Sequence, residues 1–96
     1  MRLKVIDLSL TNDTLYHDCE IETVGGRLNL VTPPGIAKEI IGRNADNLEV
    51  DYDQVTLTGP MAVWCYMIVF HVIGHKTRKV VYDDGRGNVL EICAHG

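Results

Sequence analysis

The stretch from Pro60 to His95, PMAVWCYMIVFHVIGH followed by KTRKVVYDDGRGNVLEICAH, decides the fold. Between Pro60 and Ile73 the single polar residue is His71. The run is too short to cross a membrane, which takes about 20 apolar residues. It predicts a core helix, entered through Thr58-Gly59-Pro60 with the proline in its first turn and ended by Gly74. A helix that is apolar all round is expected to be buried on most sides, under a sheet or in an oligomer interface. After it, Lys79–Asp83 predicts a strand, Asp84–Asn88 a glycine-rich turn and Val89–His95 a last strand.

Upstream, Glu49–Thr58 alternates Val50 and Tyr52 with acidic residues, then Val55 and Leu57 after a one-residue shift. This predicts a strand interrupted near Asp53. In Pro34–Ile41 the residues Ile36, Ala37, Ile40 and Ile41 fall at helical spacing. Thr32 is the expected N-cap, the two prolines fit the first turn and Gly42 is the expected stop. Arg27–Val31 predicts a short strand. Leu3–Leu10 and Leu15–Val24, separated by the turn residues Thr11–Thr14, predict a hairpin that Gly25-Gly26 breaks. The order β-β-β-α-β-α-β-β implies a single α+β domain over residues 1–96. The expected form is a small ferredoxin-like or related sandwich, with two helices on a mixed or antiparallel sheet.

Composition narrows the function. Ninety-six residues suit one modest core. A net charge of −4 argues against duplex DNA as a partner, since phosphate-dominated affinity needs a surplus of Lys and Arg. It leaves room for a small anion held by a few focused groups. Cys19, Cys65 and Cys93 are an odd number without zinc spacing, which fits reduced thiols and a cytoplasmic setting. The opening Met1–Asp7 lacks the long apolar run of a secretory leader, so a soluble protein without membrane attachment is expected.

The chemistry-bearing residues concentrate in the last third. His71 and His75 stand four apart at the end of the long helix and project from one face. Asp84, just before the turn, is the carboxylate that would complete a His/His/Asp set for a divalent ion such as Mn²⁺. Adjacent strand residues point to opposite faces, and Asp83 is read as a solvated turn residue. Arg86, between two glycines, suits a phosphate through its bidentate fork. His95 shares a strand face with Glu91 and Cys93. His17 is read as a surface residue, and Trp64, Tyr66 and Phe70 as core.

These residues carry a resemblance. Thr58-Gly59-Pro60, Val63-Trp64 and Tyr66 at the helix entry resemble the small manganese-dependent CRISPR-associated ring nucleases. So do His75-Lys76-Thr77, Val80-Val81-Tyr82, the Asp84-x-Arg86 pair and a closing strand ending in His95. The resemblance covers Leu57 to His95 and none of the first half. It departs in the turn, where members carry Asp-Pro-Arg and this chain has Asp84-Gly85-Arg86.

The resemblance implies cleavage of cyclic oligoadenylate, above all cyclic tetra-adenylate, in type III CRISPR signalling, with an RNA-deadenylating activity beside it. It implies His75, Asp84, Arg86 and His95 as catalytic residues and Mn²⁺ on His71, His75 and Asp84. The ring would rest on Arg86 and on backbone at Gly59 and Gly85. A homodimer or dimer of dimers would surround it, each subunit supplying part of the site. Two other readings stay open: a non-catalytic module that binds a cyclic nucleotide or RNA end, and a structural domain whose histidines are helix-end residues.

Overall fold

The computed structural model describes residues 2–48 and 52–94, so Glu49–Asp51 of the expected fourth strand and His95 lie outside the described residues. The elements come in the expected order. They are β1 (Leu3–Asp7), β2 (Ile21–Val24), β3 (Arg27–Leu30), α1 (Pro34–Asp46), β4 (Gln54–Thr58), α2 (Val63–Ile73), β5 (Lys79–Asp83) and β6 (Val89–Ala94). Four strands form a sheet in the order β1-β4-β5-β6, with β1, β4 and β5 parallel and β6 antiparallel to β5. The fold is α+β with a mixed sheet. Because the strands lie in chain order, it is the related sandwich and not the interleaved ferredoxin-like one.

Parallel neighbours need a crossover, and α1 and α2 supply one each. Two crossovers of the usual hand, stepping the same way across a sheet, put both helices on one face. There they pack on each other, and a Cβ added at Gly42 would sit 3.9 Å from the Ile68 side chain. Alternation along the strands sends Ile6, Val55, Leu57 and Val80 into this layer. They meet Ala37, Ile41 and Ala45 of α1 and Cys65, Val69 and Ile73 of α2. The opposite face of β1 stays open, with Leu3 58% and Val5 61% exposed.

Several local expectations give way to packing. The Leu3–Val24 hairpin does not form, because β1 pairs with β4 and only Ile21–Val24 of the second half is strand. That strand pairs with β3 across Gly25-Gly26, whose φ values of 57° and 79° suit a two-residue hairpin turn. The chain between β1 and β2 is instead a loop tied from within. Asn12 Nδ2 donates to the Asp7 carbonyl at 2.7 Å, Asn12 Oδ1 accepts from Leu15 N at 3.1 Å, and the Tyr16 hydroxyl donates to the Leu8 carbonyl. Thr32 does not cap α1; its hydroxyl accepts from Glu20 N at 2.7 Å, and Pro33 takes the cap position. Gly42 does not stop the helix, which runs on to Asp46 and buries Asn44 and Ala45.

Three further corrections bear on function. Pro60 precedes α2 instead of sitting in its first turn, and Ala62 is the N-cap. Burial of α2 is one-sided: Cys65, Val69 and Ile73 are buried, while Val63 and Met67 are 70% and 65% exposed. In β6 a register shift opposite Val80/Val81 leaves Ile92 as an extra residue. Glu91 therefore faces the open side, ion-paired with Lys79 at 3.0 Å, whereas Cys93 packs against the core. The two do not share a face. No helix among the described residues is long and apolar enough to cross a membrane.

Asn44 is the polar pin of the helix layer. Its Nδ2 donates to the Leu15 and His17 carbonyls, both at 2.8 Å, fastening the long loop to α1. Asn44→Ala leaves a buried carbonyl without its donor, which costs about 1–3 kcal/mol. The expected result is a lower urea midpoint with an unchanged slope; an unaffected midpoint would show that the loop is held otherwise.

Candidate functional site

Polar groups collect at two opposite edges of the sheet. At the carboxyl edge of the parallel strands stand Asp7, Thr58-Gly59 and Asp83-Asp84, from β1, β4 and β5 respectively. Carboxyl edges are where open sheets with parallel strands present loops to ligands. Gly59 has φ +102°, and a Cβ there would lie 2.2 Å from Asp7 Oδ1 and 2.9 Å from Ser9 N. Glycine lets the β4 exit press against the β1 exit. The Gly59 carbonyl accepts from the Tyr66 hydroxyl, and Thr58 Oγ1 donates to the Asp83 carbonyl at 2.9 Å. Tyr66 stacks edge-on against Tyr82, centroids 5.4 Å apart. Burial, then Tyr82, Asp7 and Asp83, push the Tyr66 hydroxyl up to about 12.

The β5–β6 turn is built by Asp84. Its Oδ1 accepts from Arg86 N at 2.7 Å and Asn88 N at 3.2 Å, and its Oδ2 from Asn88 Nδ2 at 2.8 Å. Asp83 Oδ1 accepts from Gly85 N at 2.8 Å. Gly85 and Gly87 have φ of 76° and 90°, a region that favours glycine. Arg86 stands between them, exposed and without an ion pair among the described residues. The Asn88 and Arg86 bonds hold the Asp84 carboxyl below the usual carboxylate range.

His71 and His75 are at the other edge. Their rings meet edge-on with centroids 5.2 Å apart. With Phe70, Gly74 and Cys93 they line a hollow of about 280 Å³. The separation follows from topology. A helix joining two parallel strands must run back from the carboxyl edge to the amino edge, so the C-terminus of α2 lies beside the start of β5 and Asp84 beyond its end. Five strand residues at about 3.3 Å each put over 10 Å between those edges.

The spacing of His71 and His75 therefore brings those two together, but a single chain does not add Asp84 to them. Among the described residues no group of three His, Cys, Asp or Glu is placed to hold a metal ion. One chain does not fit a His71/His75/Asp84 manganese centre. Gly59 and Gly85 do lie on the same edge as Arg86. His17 is exposed, and its carbonyl accepts from Asn44 Nδ2 near the end of α1. Sequence reasoning passed over Asp7, read Asp83 as a solvated turn residue and read Tyr66 as core; the signal available for the two carboxylates was that each closes a strand of the parallel set.

Two outcomes follow. Gly59→Ala adds a Cβ where Asp7 sits and forces a left-handed φ, so it should cost about 2–4 kcal/mol in chemical unfolding; an unchanged midpoint would mean the two exits do not press together. For Asp84, a lowered native pKa adds stability above the unfolded carboxylate pKa, and this is lost as pH falls through the native value. Asp84→Asn keeps an acceptor for the turn but does not titrate. It should unfold with less dependence on pH at the acid end than the parent, and equal acid dependence would contradict the role.

Comparisons of the chain with protein-family models, with curated proteins and with solved structures find no match.

Proposed function

We propose that the protein is a phosphodiesterase that opens a cyclic oligoadenylate, cyclic tetra-adenylate foremost, and that it acts in the cytoplasm as an assembly of two or more chains. The observation that carries this reading is the β5–β6 turn. Asp84 holds the backbone so that Arg86 projects between two glycines at a sheet edge, free of acidic partners among the described residues. That is a fit for a phosphodiester, whose non-bridging oxygens take two parallel guanidinium bonds. The motif resemblance around Thr58-Gly59-Pro60 and Asp84-x-Arg86 supplies the substrate class.

A cyclic oligoadenylate brings its own nucleophile. The ribose 2′-oxygen attacks the adjacent phosphorus, the new O–P bond forms and the bond to the 5′-oxygen breaks. The 2′-proton leaves to a base, and a proton is delivered to the departing 5′-oxygen. The product is linear, ends in a 2′,3′-cyclic phosphate and consumes no water. Arg86 would bind the ring and balance charge growing on the non-bridging oxygens. Histidines would move the protons, and the His71–His75 pair reaches that edge only from another chain. The Mn²⁺ requirement is proposed for the assembly, since one chain divides the ligand set between its edges.

A binding module that holds the ring without cutting it is the second reading. What favours it is that Asp84 already accepts three hydrogen bonds within its own turn.

The test is incubation with cyclic tetra-adenylate, with Mn²⁺ or with chelator, and chromatography of the products. Metal-dependent linear adenylates are expected, and Arg86→Ala should reduce ring affinity about 10- to 100-fold, the loss of one charge-assisted contact. An intact ring that co-elutes with the protein would replace the nuclease by the binding module. No cleavage and no binding would overturn both.

A further inference from the structure

We infer that the hollow between the end of α1 and the loop after β1 binds a small primary aliphatic amine in its ammonium form. The inference rests on this hollow alone and is independent of the proposed ring opening.

The hollow has a volume of about 440 Å³ and is lined by Asp13, Thr14, His17, Asn44, Asn47 and Leu48. Small-molecule sites are typically of roughly 300–1,000 Å³. Asn44 is 8% exposed, and its Nδ2 donates twice, to the Leu15 and His17 carbonyls. Those two bonds fix which way the amide points. Its Oδ1 accepts nothing among the described residues, and none of their buried side-chain oxygens or nitrogens lacks a partner. The oxygen is therefore open to solvent, and since Asn44 lines this hollow, the oxygen faces it. A pinned and mostly buried residue thus turns one unused acceptor outward.

The groups around that oxygen also accept. Asp13 is exposed and has no ion pair among the described residues. The side chains of Thr14 and Asn47 form no hydrogen bond among those residues, which leaves a hydroxyl and an amide oxygen available. Asn47 caps the C-terminus of α1, the negative end of the helix dipole. The neighbouring cation, Arg43, is engaged by Asp18 at 2.8 Å, and His17 Nε2 lies 3.6 Å from the same carboxylate. Leu48, which packs against the core, gives the hollow an apolar side. One carboxylate, several neutral oxygens and a helix C-terminus call for a single positive charge that carries N–H donors, and Leu48 for a short hydrocarbon stem. A primary alkylammonium supplies the charge, three donors and the stem. A divalent metal ion takes a closer and more highly charged set of oxygens than one carboxylate in a space this wide. An anion would meet Asp13 and the negative helix end.

The test is an NMR titration of the full, isotope-labelled chain with n-butylammonium chloride at constant ionic strength. Saturable shifts are expected in the Asn44 side-chain amide and in the backbone amides of residues 13–17, with an affinity of roughly millimolar order for so small a molecule. Asp13→Asn, an exposed change that leaves the Asn44 pin in place, should weaken binding about 5-fold, the worth of one exposed charge pair. Glu22→Gln removes the same charge from an exposed residue outside the hollow and should leave the affinity unchanged. Tetramethylammonium, which has the charge but no N–H, should bind at least about 5-fold more weakly than n-butylammonium. Absence of saturable shifts at these residues, parental affinity in Asp13→Asn, equal weakening by Glu22→Gln, or tetramethylammonium binding as well as n-butylammonium would each overturn the inference.

Discussion

Parallel pairing of β4 with β5 is the constraint on which the rest depends. Val55, Thr56 and Leu57 lie beside Val80, Val81 and Tyr82 in the same direction. The chain must therefore return to the starting edge between them, and α2 is the return. Its direction fixes its two ends: the Gly59 exit at the carboxyl edge and the histidine pair at the amino edge. Everything said about the site follows from this one crossover. An antiparallel β4–β5 pair, joined by a short turn, would have made a different map of the same residues.

The carboxyl edge is held by close backbone approach and hydrogen bonds more than by apolar packing. Gly59 lies against Asp7, Tyr66 bonds the Gly59 carbonyl, and Thr58 bonds the Asp83 carbonyl. These contacts tie the exits of β1, β4 and β5 into one platform, from which Asp84 projects the Arg86 turn. On the helix side Asn44 does comparable work for the loop after β1. Each of these groups satisfies backbone atoms that folding would otherwise leave without water or partner.

The element order was legible from periodicity and punctuation: Gly25-Gly26, Gly74 and the Gly85–Gly87 turn all stand where a chain segment ends or reverses. What was not legible was partnership. Leu3–Val24 reads locally as a hairpin, but β1 pairs with a parallel partner about fifty residues away, and Ile6 and Leu8 are buried in the core. Gly42 reads as a helix stop, yet it serves as the thin point where α1 meets α2. The bulge at Ile92 leaves no mark in the alternation, and it reverses the relation of Glu91 to Cys93. At the site, His71 and His75 were legible as a pair because helical spacing is local. Their distance from Asp84 was not, because it depends on the crossover. The structural duty of Asp84 had a faint sign in Asn88 four residues later.

A chain whose histidine pair and Arg86 turn stand at opposite edges would, on the proposed reading, need a neighbour placed head to tail against it to bring them together. The most direct measurement is complementation. If the chain opens the ring as proposed, Arg86→Ala and His75→Ala chains, each impaired toward cyclic tetra-adenylate, would be mixed, allowed to exchange subunits and assayed for ring opening. A site shared by two chains predicts recovery to roughly a quarter of parental activity, since half the random pairs are mixed and each carries one intact site of two. A mixture as inactive as either variant alone would contradict the account and put the whole site within one chain.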